Sequence, residues 1–278
     1  MTMIEPEVIE AARRVGAARE LPPEVLLAVS LVETNAVAHA RVGDRREPLI
    51  RFEGHYFDRR LGGEARERAR AAGLASPSAG AVANPASQAA RWALLGRAAA
   101  IDAEAAYASV SWGLGQVMGA HWQRLGFASA RALAAHARSG TQGQLDLCAR
   151  FLLAEDLVDR LVAKDFAGFA RRYNGPNYRT NRYDEKIEAA LRRADALLDA
   201  GPAVPAAAFG RGARGQGVFD LQEALAEAGH GLSVDGVFGP GTETALRAFQ
   251  ERRGLTPSGI ADAATLAALG GGREGSCG

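Results

Sequence analysis

Three polar clusters interrupt the apolar stretches of this chain, and each holds residue types that do chemistry. The first centres on Glu33, which closes the otherwise nearly uncharged run PEVLLAVSLVE, with Asp44, Glu53 and His55 downstream. Val25, Ala28, Val29 and Val32 recur at the spacing of a buried helix face, and Pro22 and Pro23 suit its first turn. A carboxyl at the edge of such a face is partly desolvated, which disfavours its charged form and raises its pKa toward that of a proton donor at neutral pH. Breaking a glycosidic bond requires a proton for the leaving oxygen and stabilisation of an oxocarbenium-like centre. An uncharged carboxylic acid and a second carboxylate supply both. Taken alone, the segment also reads as a core helix whose first solvated residue is Glu33. His39 and His55 fall in no recognised ligand spacing with the acids, so no metal or other cofactor is expected.

The second cluster is Ser111-Trp112-Gly113-Leu114-Gly115-Gln116. Glycines let a backbone approach a ligand closely, Trp stacks on sugar faces, and Gln hydrogen-bonds hydroxyl or acetamido groups. The same residues also describe a glycine-rich helix break with Trp112 as a core anchor. The third cluster, Tyr173-Asn174-Gly175 with Tyr178 and Tyr183 nearby, reads by itself as a helix end with an aromatic staple.

The elements that must position these clusters are helical. Helices are expected over residues 4–19 and 22–33, followed by a polar irregular stretch from Asn35 to Glu47. Residues 48–57 alternate apolar with polar, as a strand or as a loop lying across a cleft. An exposed helix and loop follow over 59–80. Asn84-Pro85 is a cap and first-turn pair from which a long helix should run to about Ala108. Thr141 with Gln144 forms a capping box, Asp165 caps a helix reaching Tyr173, Asn174 to Asn177 make a turn, and 182–200 read as a closing helix. Residues 201–216, rich in Ala, Gly and Pro, read as a linker. Beyond it Asp235-Gly236-Val237 with Thr242 recurs as Ser258-Gly259-Ile260 with Thr265, a duplicated unit of turn plus short helix. The fold class is therefore mostly α: a helical domain over 1–200, the linker 201–216, a small three-helix domain over 217–270, and a tail over 271–278.

The 278 residues include 33 basic and 32 acidic side chains, so no overall field draws the chain to nucleic acid or to an anionic membrane. No run is long and apolar enough to span a bilayer, so no membrane insertion is expected. The N-terminus has no continuous apolar region of the kind a signal peptide carries. Cys148 lies in an apolar helical run and Cys277 in a glycine-rich tail, so two thiols are expected rather than a bridge.

Taken in order, a helix-terminal VE, then SWGLGQVMG, then FARRYNGPNY closely resembles the N-acetylmuramidase domain of phage endolysins, within the lysozyme-like superfamily. The flanking LIRFEGHYF and AAAIDAEAAYASV make the resemblance specific, and it covers about residues 5–200. It implies a peptidoglycan hydrolase that cuts the β-1,4 bond between N-acetylmuramic acid and N-acetylglucosamine, with Glu33 as proton donor. By the same resemblance Gln116, Tyr173 and Asn174 line the sugar cleft, with Ser111 and His55 as further substrate contacts, and Glu53 assists electrostatically or positions water. Such families commonly have glycines just after the VE, where this chain has Thr34-Asn35-Ala36, so the loop after the acid is expected to differ. The stretch from LQEAL through DGVFGPGT to FQ and GL resembles a small three-helix peptidoglycan-binding domain. Asp235, Phe238, Thr242 and Gln250 lie near the turns that would face a glycan or stem peptide, and equally fit turn, core and cap roles. The resemblance implies a monomer that stays in the host cytoplasm until it is released to act in the periplasm or wall. Two rivals stay open at this stage: a lytic transglycosylase, and a non-catalytic wall-binding or phage structural protein.

Overall fold

The computed structural model describes residues 4–199 and 209–270. These residues separate into a larger unit beginning at Pro6 and a smaller C-terminal one. The larger unit opens with α1 (Pro6–Arg19) and α2 (Pro23–Thr34), the hairpin β1 (His39–Val42) and β2 (Arg45–Pro48), and β3 (Ile50–Phe52). It continues through α3 (Gly54–Arg60), α4 (Gly63–Ala71), α5 (Gln88–Ala99), α6 (Ala103–Ala108), β4 (Val110–Trp112) and β5 (Val117–Met118). The last helices are α7 (Ala130–Ala137), α8 (Thr141–Ala154), α9 (Val158–Val162), α10 (Phe166–Asn174) and α11 (Tyr183–Asp199). No described helix is long and apolar enough to cross a membrane.

α2 runs through the middle of this unit, with α1, α8, α9 and α11 packed around it. Pro22 is its extended N-cap residue and Pro23 its first turn, as the sequence predicts. Every residue from Val25 to Leu31 is buried. Ser30, inside this apolar run, is satisfied by donating its hydroxyl hydrogen bond to the Leu26 carbonyl at 2.8 Å. α2 ends on Asn35 and Ala36, both left-handed (φ 53° and 59°). That conformation is unfavourable for alanine. The corner closes with hydrogen bonds from Ala36 N to Ser30 O and from Val37 N to Thr34 O.

The expected irregular stretch before Glu47 is instead the β1–β2 hairpin, turning at Gly43-Asp44 with Gly43 at φ 59°. Arg41, Arg45 and Arg46 are exposed, so no apolar alternation marks the strands. The long helix expected from Asn84 to Ala108 is two helices with their own caps, Ser87 for α5 and Asp102 for α6. Asn84 is used elsewhere: its side chain bonds both backbone groups of Phe52, at 2.9 and 2.8 Å. Gln88 accepts from Ile50 N at 2.9 Å, so side-chain amides satisfy the edge of β3 that faces away from β4. Asp165 caps α10 as predicted, accepting from Gly168 N at 2.9 Å.

Thr141 and Gln144 do not form a capping box. Thr141 is the first residue of α8 and donates to Glu7 at 2.6 Å. Gln144 is buried and ties two distant segments together, donating to Ala38 O at 2.9 Å and accepting from Leu114 N at 3.1 Å.

In the smaller unit α12 (Gln216–Glu227), α13 (Pro240–Arg252) and α14 (Ala263–Gly270) enclose Val218, Leu221, Leu225, Phe238, Leu246 and Phe249. Phe209 pairs with Ala261 and Arg214 with Val237. Residues 209–215, expected as linker, are thus bonded into this unit, because Phe209 packs on its core and closes against Gly217. Residues 201–208 of that linker, and the tail 271–278, lie outside the described residues.

Replacing Gln144 with Ala should leave a buried carbonyl and a buried amide unsatisfied and cost about 2–3 kcal/mol of stability. Urea unfolding monitored by circular dichroism measures it. A loss below a few tenths of a kcal/mol would mean that the loop and hairpin are held by packing alone.

Candidate active site

Glu33, Arg51, Glu53, Arg91, Ser111, Gln116, Tyr173, Asn174 and Asn181 line one cleft of about 560 Å³. One wall is helical: Glu33 on the last turn of α2, Tyr173 and Asn174 at the end of α10, and Asn181 just before α11. The other is the sheet β3–β4–β5, where Arg51 pairs with Ser111 across strands and Gln116 sits in the β4–β5 turn. Six of the residues singled out in the sequence meet here: Glu33, Glu53, Ser111, Gln116, Tyr173 and Asn174. Asp44 lies exposed in the hairpin turn and is not part of the lining.

The Tyr183 hydroxyl donates to Glu33 Oε1 at 2.5 Å. Tyr183 stacks on Tyr173 at 5.9 Å between ring centroids, and Tyr173 on Phe169 at 5.2 Å, so an aromatic column backs the acid. Burial pushes the Glu33 carboxyl from an ordinary 4.5 up to about 7, against the opposing pull of the Tyr183 hydrogen bond and the charges of Arg51 and Lys186. Burial, and then the nearby Glu33, hold the Tyr183 phenol well above its usual range, so it remains a donor.

Glu53 precedes α3 but makes no capping bond. Its Oε1 instead accepts from Arg51 Nε at 2.8 Å. His55, expected as a substrate contact, is not part of the lining. It stands behind Glu53, with Nδ1 at 3.5 Å from Glu53 Oε2 and its ring edge-on to Tyr56.

Several cleft residues have spent their polar atoms on the protein. Tyr173 donates its hydroxyl to Gly115 O at 2.6 Å, Gln116 donates Nε2 to Gly113 O at 2.8 Å, and Ser111 Oγ lies 3.1 Å from Met118 Sδ. They therefore shape the wall and hold the β4–β5 turn, with Gln116 itself at φ 43°. Trp112 is fully buried and stacks on Tyr107, so it anchors the core and does not stack on a sugar. The glycines beside it admit protein rather than ligand: a side chain at Gly113 would collide with Gln144, and one at Gly115 with Cys148.

Tyr183, Arg51, Arg91 and Asn181 are the cleft and acid-contacting residues that sequence reasoning passed over as site residues. Tyr183 lies 150 positions from Glu33, and only the packing of α11 on α2 joins them. Arg51, inside LIRFE beside Glu53, is the one with a signal near enough to have drawn notice.

In the smaller unit the expected ligand-facing residues are largely internal. Phe238, Thr242 and Gln250 are buried. Gln222 donates to Val237 O and Thr242 Oγ1 and accepts from Gly236 N. Gln250 repeats the arrangement with Ile260 O, Thr265 Oγ1 and Gly259 N. Thr242 and Gln250 are thus locks of the duplicated turns, and Phe238 is core. Asp235 is exposed, but its carboxylate accepts from Gln222 Nε2 and Val237 N, which is turn chemistry. Among the described residues no group of three or more His, Cys, Asp or Glu side chains is arranged to hold a metal ion.

A half-buried acid at the end of a core helix, facing a small sheet across a polar cleft, defines the larger unit as a lysozyme-like enzyme domain. The chain belongs to the N-acetylmuramidase family, whose model matches residues 22–195. Residues 214–269 match the model of a peptidoglycan binding domain. Comparison with curated proteins finds no match. Among solved structures, the crystal structure of the Burkholderia AP3 phage endolysin is similar, at 29% identity and a TM-score of 0.57, covering 68% of this chain and 71% of that one. The protein is a peptidoglycan hydrolase.

The raised pKa carries a stability signature. In the unfolded chain Glu33 ionises near 4.5 and in the folded one near 7, so its contribution is complete below pH 4.5 and is lost as pH rises to 7. Glu33→Gln, which does not titrate, should gain about 3 kcal/mol on the native protein between pH 4 and pH 8. Urea unfolding of both proteins at the two pH values checks this; a constant difference would mean a carboxyl solvated as in water.

Proposed function

We propose that the larger unit, up to about residue 200, is a glycoside hydrolase for the β-1,4 bond between N-acetylmuramic acid and N-acetylglucosamine, with Glu33 as general acid. The observation that carries the reading is the Glu33 carboxyl itself, raised to about 7 by burial and opening onto the cleft. At neutral pH a large share of it holds a proton to give. The proton passes to the leaving glycosidic oxygen, the C–O bond breaks, and the positive charge that grows on the sugar ring faces the Glu53 carboxylate. Water then adds to the ring carbon, and its proton leaves to a carboxylate or to solvent, so the products differ from the substrate by one water. Tyr183 holds Glu33 Oε1, which orients the acid and stabilises the carboxylate left after transfer.

The smaller unit, from about residue 217 to 270, is a wall anchor in this reading. On an insoluble polymer a weak binder joined to the enzyme raises the local concentration of cleavable bonds. Similarity to a phage endolysin supports an endolysin role here; in this reading the protein is a monomer released from the host cytoplasm to the wall, and it engages peptidoglycan rather than nucleic acid.

Glu33→Gln should lower the release of reducing ends from purified sacculi by about 10²- to 10⁴-fold. Mass spectrometry of the wild-type digest should show hydrolysed ends. Products lighter by one water, carrying 1,6-anhydro rings, would instead identify a lytic transglycosylase.

Tyr183→Phe removes a hydrogen bond that favours the carboxylate. The alkaline limb of the kcat/KM profile should therefore move upward, by up to about one pH unit. A limb that stays in place or moves down would remove Glu33 as the titrating acid.

A further inference from the structure

Two guanidinium groups share the cleft with the two glutamates, and their circumstances differ. Arg51 is largely exposed and its Nε is paired with Glu53. Arg91, on α5, is half-buried and has no carboxylate within salt-bridge distance among the described residues. It is fastened to the sheet wall instead, donating Nε to Pro85 O at 2.8 Å and Nη1 to Ile50 O at 3.2 Å. Those two bonds fix the plane of the guanidinium and leave Nη2 with no partner among the described residues. Desolvation, and then the like charge of Arg51, hold the Arg91 pKa below its ordinary value, so the site bears the cost of a cation that nothing opposes.

Counting charges in the lining makes the imbalance plain. Arg51 and Glu53 cancel, and Glu33 in its acid form is neutral, so Arg91 leaves the resting cleft with one unopposed positive charge. A fixed, partly dehydrated guanidinium with a free Nη2 is a carboxylate receptor: its unused N–H groups donate to a carboxylate oxygen, and the bond strengthens where water is thin. Peptidoglycan differs from neutral N-acetylglucosamine polymers by the lactyl ether of muramic acid. That ether ends in a free carboxylate where the stem peptide has been removed, and in a peptide bearing free carboxylates where it has not.

We propose that Arg91, seconded by Arg51, is a specificity determinant that binds a carboxylate carried on the muramic acid side of the glycan, and so selects acidic strands over neutral ones. The proposal rests on the glycan-cleavage reading for its biological sense, but binding tests it separately. Glu33→Gln provides a background in which affinity is measured without turnover.

Soluble glycan fragments are prepared in two series, one with stem peptides intact and one stripped to the lactyl carboxylate. Each series is used as such and after conversion of its carboxylates to amides with carbodiimide and ammonium. Titration calorimetry in the Glu33→Gln background should show amidation weakening binding by about tenfold in at least one series. Arg91→Gln added to that background should weaken binding of the acidic fragments by about tenfold, and of the amidated ones by less than roughly threefold. A response confined to the stripped series identifies the lactyl carboxylate as ligand, and one confined to the other series identifies a stem-peptide carboxylate.

Arg91 also holds two backbone carbonyls, so Arg91→Lys is measured alongside. It keeps the charge but not the planar group fixed by the two carbonyls, and should lose affinity for acidic fragments by an intermediate factor. In the active enzyme, Arg91→Gln should raise KM on acidic fragments more than it lowers kcat. Equal losses on acidic and amidated fragments, or indifference to amidation in both series, would overturn the proposal and leave Arg91 as a clamp on the sheet edge. Absence of new reducing ends alongside charge-dependent binding would instead overturn the cleavage reading and leave the receptor standing.

Discussion

A carboxylic acid keeps or loses its proton according to what surrounds it, and around Glu33 that is mostly packed protein. The packing of α11 on α2 brings the Tyr183 ring and hydroxyl against the carboxyl, and the column Tyr183–Tyr173–Phe169 extends the apolar backing. Two effects oppose each other at this point: desolvation raises the pKa, and the Tyr183 hydrogen bond with the Arg51 and Lys186 charges lowers it. Desolvation is the larger. For the proposed general acid the balance matters more than either part, because a fully isolated acid would hold its proton too tightly to give it up, and a solvated one would have none at neutral pH.

The facing wall is built to hold still. β3 has one partner strand, and its other edge is satisfied by Asn84, Gln88 and Arg91. The β4–β5 turn is pressed onto α8 so closely that Gly113 and Gly115 have no room for a side chain. Gln144 and Tyr173 each donate or accept a bond that pins this turn. Polar residues that look from their types like sugar contacts therefore serve first as fasteners for the cleft.

The smaller unit applies similar logic twice over. Each of its two glycine turns is locked by one buried glutamine that bonds a turn carbonyl, a turn amide and a threonine at the start of the next helix. With so small an apolar core, polar locks of this kind fix the turns where bulk burial alone would not.

Much was legible in the chain itself. The apolar spacing of α2, its paired prolines and the charge at its end are local properties, and so is the turn-and-helix repeat after residue 232; each is written within a few consecutive residues. The order VE, SWGLGQ, RRYNG sufficed for the family. Local pattern could not reveal which polar atoms are already spent, since that depends on partners far along the chain: Gln144 on Ala38, Tyr173 on Gly115, Asn84 on Phe52. The β1–β2 hairpin stayed hidden because its exposed face is arginine, and Tyr183 because a hydrogen bond across 150 residues leaves no periodicity to read. Sequence alone determined that an acid closes a buried helix. Only the tertiary structure decided how firmly that acid holds its proton, because its pKa belongs to the packing around it and not to the residue.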